Sequence, residues 1–255
     1  MNPIVEVNLE GKVALITGSA RHLPAVIATE FAAAGADVAL NDLHPEGEIQ
    51  EVAEEIKKKG RRAAIFAADV SQSDQVERMV AQIKEELGAV DILVNGVGPF
   101  AMAPFLELPE EEWDKVMDAN LKAIYLLTRQ VAPQMREKGW GRIINISAGS
   151  ADIYNHSVYG LAKFAVRYLT RALALELGPA ITVNAISPGQ IAESAPDISQ
   201  YDPTFVERAI RDTPTGRLVT RREVARLAVL LCSPACDAIT GETIRMDGGW
   251  GIPRW

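Results

Sequence analysis

The chain has 255 residues, 48% hydrophobic and 24% charged, with a formal net charge of −8. That mix is ordinary for a globular protein, and an acidic chain repels phosphate backbones, so nucleic acid is not an expected partner. The one basic run, Lys57 to Lys59 with Arg61 and Arg62, sits beside Glu51, Glu54 and Glu55 and reads as a solvated helix end with cations near its C-terminus. Cys232 and Cys236 cannot form a disulfide framework, and their spacing is unusual for zinc. They read as buried free thiols in a reducing compartment. The 3 histidines are scattered, so no metal site is expected. Residues 1–9 lack the basic and apolar regions of a secretory signal, and no run approaches the ~20 apolar residues of a membrane helix. A cytoplasmic protein without a membrane partner is expected.

In chain order, Val13–Ile16 reads as a buried strand and Ala25–Ala34 as a helix stopped by Gly35. Asp37–Leu40 is a strand, and Pro45 opens a charged helix to Lys59 that ends at Gly60. Ala63–Ala67 is a strand; Ser71 or Ser73 caps a helix to Leu87, with Gly88 as its stop; Ile92–Asn95 is a strand. A long helix covers about 110–134, Arg142–Ile146 is a strand, and a second long helix covers about 158–177. Ile181–Ile186 is a strand, and 188–204 is a loop with three prolines. A helix at about 203–211 lies over the top as a lid, Arg222–Cys232 is the last full helix, and Thr243–Met246 the last strand.

Strands apolar on both faces must be covered by helices on both sides. Repeated βα units then predict a single Rossmann-type domain over 1–255: an α/β fold with a doubly wound parallel sheet of about seven strands in three α/β/α layers, and a substrate-loop or lid segment at about 188–215. Ligands bind such sheets at the carboxyl ends of the strands. The chemically notable residues should therefore follow Ile16, Leu40, Ala67, Asn95, Ile146 and Ile186.

The first strand leads into Thr17-Gly18-Ser19-Ala20-Arg21-His22-Leu23-Pro24. A turn here aims backbone N–H groups and a helix N-terminus at a pyrophosphate. The segment resembles the T-G-x-x-x-G-x-G loop of the short-chain dehydrogenase/reductase family, with His22 and Pro24 where the second and third glycines stand. Asp42 lies 24 residues beyond Gly18, where a carboxylate can bind the ribose hydroxyls of NAD and repel the 2′-phosphate of NADP. Ala68-Asp69-Val70 and Asn95-Gly96-Val97-Gly98 resemble the family's strand-end elements beside the adenine and the cofactor. The resemblance implies NAD as cofactor, held by Gly18, Arg21, Leu23, Asp42, Asp69, Val70, Asn95, Gly96, Tyr159, Lys163, Pro188, Gly189 and Ile191.

Tyr159 and Lys163 stand at i and i+4 on one helix face. A phenol near pKa ~10 is a poor acid or base at neutral pH, and a neighbouring ammonium would lower that value. This pair is the family's Y-x-x-x-K signature in the family's place. The resemblance assigns Tyr159 as general acid/base, Lys163 as its modulator and a ribose ligand, and Asn120 as the support of a proton relay through water. The family's serine position falls on Ala148; Ser147 or Ser150 stands near enough to replace it, and Ser147 is the residue assigned to orient the substrate oxygen. Ser187-Pro188-Gly189-Gln190-Ile191 resembles the nicotinamide-facing element, but Glu193 replaces the threonine the family often has two residues later.

The expected function is NAD-dependent hydride transfer to or from a small-molecule alcohol or ketone. A second reading, motivated by His22, Pro24, Ala148 and Glu193, keeps the fold but loses or replaces the redox role. Residues 99–105, 151–156 and 190–205 should line the substrate pocket, Phe100, Met102, Tyr154 and Phe205 apolar, Asn155, His156 and Gln190 polar. Phe164, Val166, Tyr168, Leu169, Leu173, Leu175 and Leu177 make the helix after Tyr159 apolar beyond one core-facing stripe, which predicts a homo-oligomer, a tetramer or dimer.

Overall fold

The structure is a computed structural model describing residues 7–101, 103–151, 157–200 and 202–252, without the side chains at 197 and 198. The chain runs β1 (Val13–Thr17), α1 (His22–Ala33), β2 (Asp37–Asp42), α2 (Glu48–Lys58), β3 (Ala63–Ala67), α3 (Ser73–Glu86) and β4 (Ile92–Asn95). It continues through α4 (Glu110–Met117), a π-helical turn (Asp118–Lys122), α5 (Ala123–Lys138), β5 (Gly141–Ile146) and α6 (Val158–Leu177). Then follow β6 (Ile181–Pro188), α7 (Ala195–Ser199), α8 (Phe205–Arg211), α9 (Arg221–Leu230) and β7 (Thr243–Met246).

The seven strands form one sheet in the order β3-β2-β1-β4-β5-β6-β7, every neighbouring pair parallel. The chain winds outward from β1 to β3, then crosses back to β4 on the other side of β1. That reversal opens a crevice at the carboxyl ends of β1 and β4, the place where such sheets bind ligands.

Alternation along each strand divides the core into two. Ala14 and Ile16 of β1, Ile92 and Val94 of β4, and Ile144 and Ile146 of β5 face a layer containing Ile27 and Phe31 of α1, Ile49 and Ile56 of α2, and Val224 of α9. Val13 and Leu15, Leu93 and Ile143 face the opposite layer, with Val76 and Ile83 of α3, Leu127 and Met135 of α5, and Leu177 of α6. Each such side chain contributes roughly 1.5–3 kcal/mol of burial, so the strands are held from both sides and their carboxyl ends form a rigid platform.

Several boundaries differ from the sequence reading for physical reasons. Helix α1 begins at His22, not Ala25, because Pro24 falls in its first turn, where a missing N–H breaks no helical bond. The expected helix over 110–134 is two α-helices joined by the π-turn, and it passes Pro133 to end at Gly139, whose φ of +69° closes it. The 188–204 loop contains a short 3₁₀ turn at Ala192–Ser194 and α7, with Pro196 near the start of α7. The helix expected at about 203–211 is the shorter α8. Cys232 and Cys236 are free and buried, and burial pushes the Cys232 thiol up to about 12. Among the described residues, no helix is long and apolar enough to cross a membrane.

Candidate active site

The end of β1 is tied to β4 and β2. Thr17 Oγ1 accepts the Gly96 N–H at 3.1 Å, Ser19 N–H donates to Asn41 O at 2.9 Å, and Ala20 N–H donates to Asp42 Oδ2 at 3.1 Å. Gly18 lies at φ +67°, and a Cβ there would sit 3.2 Å from Val97. His22, in the place of the second glycine, is the one non-glycine of positive φ among the described residues, at +58°. That backbone state suits glycine and is uncommon, though several-fold enriched, for histidine. Pro24, in the place of the third glycine, is buried against β4: a Cβ on Gly96 would meet Thr17 O at 2.5 Å and Pro24 Cγ at 2.8 Å. The room lost by replacing a glycine in α1 is therefore recovered by Gly96 across the crevice.

At the end of β2, Asn41 is buried and donates to Phe66 O and Ala68 O at 3.1 Å each. Its neighbour Asp42 is half-buried, with Oδ1 accepting the Leu43 N–H at 2.8 Å. At the end of β3, the Asp69 carboxylate accepts from Ser71 N–H and Oγ at 2.9 and 2.7 Å, so its charge fixes the turn into α3. Val70 beside it is buried. At the end of β4, Asn95 donates to Asn145 Oδ1 at 2.8 Å and Asn145 to Thr170 Oγ1 at 3.0 Å, a polar chain from β4 through β5 to α6.

Helix α6 is capped by Ser157, whose Oγ accepts the Gly160 N–H at 2.9 Å. It carries Tyr159 and Lys163 to the carboxyl end of β5. The Lys163 side chain is 3% exposed, its Nζ donates to Ile146 O at 2.8 Å, and burial pulls its pKa down to about 7. Its Nζ lies 5.5 Å from the centre of the Tyr159 ring, and Phe100 meets that ring edge-on at 4.9 Å. Burial pushes the Tyr159 phenol up to about 12. The expected lowering by Lys163 is not what this site has: desolvation of the buried phenol sets its shift.

Asn120 occupies the π-turn between α4 and α5, a break of the kind often found at functional sites. The extra residue in that turn carries its amide inward, where Nδ2 donates to Val116 O at 2.9 Å and Pro99 O at 3.1 Å. Oδ1 is buried with no hydrogen-bond partner among the described residues. Asn120 and Lys163 meet over Gly98, where a Cβ would lie 2.6 Å from Asn120 Oδ1 and 2.8 Å from Lys163 Nζ. The sequence marked Gly98 only as a small residue after a strand; its role as the spacer between these two polar groups needed coordinates.

Ser147 is buried, its hydroxyl donated to Lys163 O at 2.9 Å and approached by Arg167 Nε at 3.4 Å. Arg167 also donates to Ser187 Oγ at 3.0 Å. Ser147 thus fastens α6 to β5 at the Lys163 turn. Pro188 is the last residue of β6, and Gly189 approaches β7 closely enough that a Cβ would meet Asp247 Cβ at 2.7 Å. Ile191 bridges to Val219. Glu193 turns both carboxylate oxygens to the Arg221 N–H at 3.2 and 3.1 Å, at the start of α9. The Arg221 guanidinium reaches back to the first turn: Nη2 donates to His22 Nδ1 at 3.1 Å and to Ser194 Oγ at 3.3 Å. A cavity of about 460 Å³ opens there, with Ala20, Arg21, His22, Glu193 and Arg221 on one side and Glu48, Glu51, Val52 and Glu55 of α2 on the other. Met102, Tyr154, Asn155 and His156, expected in the substrate pocket, lie outside the described residues.

Comparison with known proteins agrees with this architecture. The enoyl-(acyl carrier protein) reductase family model matches residues 18–251. A short-chain dehydrogenase/reductase of Armillaria gallica is 35% identical over 250 residues, covering 94% of this chain and 96% of that protein. The D-beta-hydroxybutyrate dehydrogenase of Rhizobium meliloti is 32% identical over 253 residues, covering 94% and 98%. A gluconate 5-dehydrogenase from Burkholderia cenocepacia, solved in complex with NADP and tartrate, superposes with a TM-score of 0.91 at 30% identity, covering 98% of each chain. With this sheet order, this strand-end crevice and near full-length similarity to its members, the chain belongs to the short-chain dehydrogenase/reductase family, a family of oxidoreductases.

Proposed function

We propose that this enzyme moves a hydride between NAD and a secondary alcohol or ketone, with Tyr159 as the general acid/base. The observation that carries the reading is the closure of Asn120 and Lys163 around Gly98, with Tyr159 one helical turn before Lys163. The family implies a nicotinamide cofactor, and the residues fit one. Asn120 Oδ1 is a buried acceptor without a partner, and the buried Lys163 ammonium has protons beyond the one given to Ile146 O, so both have bonding capacity left for hydroxyl or water. Bound nicotinamide supplies the hydride acceptor or donor.

The protein's own residues do the rest. Tyr159 gives its phenolic proton to the carbonyl oxygen in reduction and takes a proton from the alcohol in oxidation. Lys163 would bind the nicotinamide ribose, and Asn120 would hold the relay water. Ser147 keeps Lys163 in register by binding its carbonyl, which leaves Tyr159 as the donor to the substrate oxygen. Gly18, Arg21 and Leu23 would face the pyrophosphate, Asp69, Val70, Asn95 and Gly96 would border the adenosine half, and Pro188, Gly189 and Ile191 would border the nicotinamide. The sheet serves as one cofactor-binding domain, with 188–215 as the substrate lid. Gluconate and 3-hydroxybutyrate, named for the two relatives above, are hydroxy acids with secondary alcohols and are the first substrates to test. The two buried free thiols accord with a reducing cytoplasm.

Asp42 supports NAD over NADP: a carboxylate at the end of β2 accepts from ribose hydroxyls and repels a 2′-phosphate. Titration with NADH and NADPH, followed by nicotinamide fluorescence, tests this. NADH should bind at least roughly tenfold tighter, as expected of hydrogen bonds to a charged group, and Asp42→Ala should erase the difference. Binding of neither would overturn the redox reading and favour a fold kept for another role.

The exposed face of α6 supports a homo-oligomer: Phe164 is 60%, Tyr168 76% and Leu175 89% exposed. Light scattering giving a monomer at micromolar concentration would refute this.

A further inference from the structure

Arg221 stands at the first position of α9, where a cation is unfavourable beside the positive end of the helix dipole. The Glu193 carboxylate, bound to its backbone N–H, offsets that charge without tying up the guanidinium. The guanidinium instead points 199 residues back along the chain, to the one described non-glycine residue held at positive φ, in the turn after β1. Arginine can only donate, so His22 Nδ1 accepts. Arg221 Nε is buried and has no partner among the described residues. A guanidinium fixed at two points beside a cavity, with a donor to spare, is an anion site of the kind arginine serves well.

The same turn is where this fold receives a pyrophosphate. In this chain it lacks two glycines, and Pro24 contributes no N–H. We propose that Arg221, placed by His22 and Ser194, binds the cofactor's pyrophosphate and supplies the donors and charge that the altered turn lacks. The proposal rests on the redox reading above. His22 is then the residue that aims Arg221, and Glu193 is the counter-charge that lets a cation stand at the start of α9. The α2 glutamates across the cavity disfavour an anion on their own wall and so direct it to the Arg221 side.

The test is the binding of ADP-ribose, which carries the pyrophosphate, against adenosine, which does not, measured by calorimetry on the whole protein. Arg221→Ala should weaken ADP-ribose by roughly tenfold to a hundredfold, the range for a charge-assisted contact, leave adenosine unchanged and flatten the salt dependence of ADP-ribose binding. Arg221→Lys keeps the charge but loses the planar fork, and should show a smaller loss in ADP-ribose alone, so the proposal stays testable if the alanine variant folds poorly. Equal losses for both ligands, or no loss for either, would overturn the role of Arg221 while leaving the redox reading intact. Failure of the unaltered protein to bind ADP-ribose, NADH or NADPH would overturn both.

Discussion

The two ends of the crevice are built on different principles. At the proposed catalytic end, Tyr159, Lys163 and Asn120 keep the family's residue types while Ala148 stands at its serine position, and their geometry is set by side chains packed in a tight, mostly buried space. At the phosphate end, His22, Pro24 and Glu193 depart from the family's pattern, and the geometry is set by backbone. A backbone cradle can be rebuilt: Gly96 makes room for Pro24, and His22 takes the positive φ that glycine would take.

The sharpest way to break the contrast is at Tyr159. Tyr159→Phe should lower kcat by about 10²–10⁴-fold, the usual share of general acid–base catalysis, with a far smaller loss of NADH affinity. In the unaltered enzyme the phenol, held up to about 12, must ionise before it can take a proton, so alcohol oxidation should accelerate with pH through the alkaline range. A rate flat above pH ~9 would mean that bound cofactor lowers the phenol's pKa.

Lys163 offers a readout independent of turnover. The unfolded lysine keeps its proton to about 10.5, while the folded one releases it near 7, so between those values the unfolded chain binds more protons. Stability should therefore rise with pH across that window and be lowest below it. Lys163→Met should remove this rise. Urea midpoints at pH ~7 and ~9.5 decide, and an equal slope in both proteins would show that the ammonium is not desolvated.

Gly98→Ala places a methyl 2.6 Å from Asn120 Oδ1 and 2.8 Å from Lys163 Nζ. Overpacking of this kind costs roughly 1–3 kcal/mol, and kcat should fall with it because two functional groups are forced apart. Wild-type urea stability with wild-type kcat would show that the gap between them is not required. The smallest effect belongs to the phosphate end. His22→Gly relieves positive-φ strain and should change stability by less than about 1 kcal/mol, in the stabilising direction, while ADP-ribose binding weakens as Arg221 loses its anchor. A large loss of stability instead would mean that the imidazole contact outweighs the strain.

Local rules determined much of this protein. β3, β4, α6 and β7 fall at the expected residues, since alternation, β-branched runs and glycine stops act within a few positions. Gly35, Gly60 and Gly88 all adopt positive φ at their helix ends. The seven-stranded parallel sheet follows from strands apolar on both faces, and Tyr159 and Lys163 share a helix face because four residues is one turn.

What only the tertiary structure decided are the meetings between distant segments. Asn120 and Lys163 come together over Gly98 because a π-turn adds one residue, which no periodicity announces. The Ser147 hydroxyl faces the α6 backbone because strand pleating and helix packing jointly choose its side. The Tyr159 phenol rises because the packing of distant segments buries it. No motif in the sequence marks Arg221, and only the packing of α1 against α9 brings it to His22. Propensity and pattern are short-range and so are written in neighbouring residues; a site is a coincidence of long-range packing, and its geometry exists only once the layers have closed.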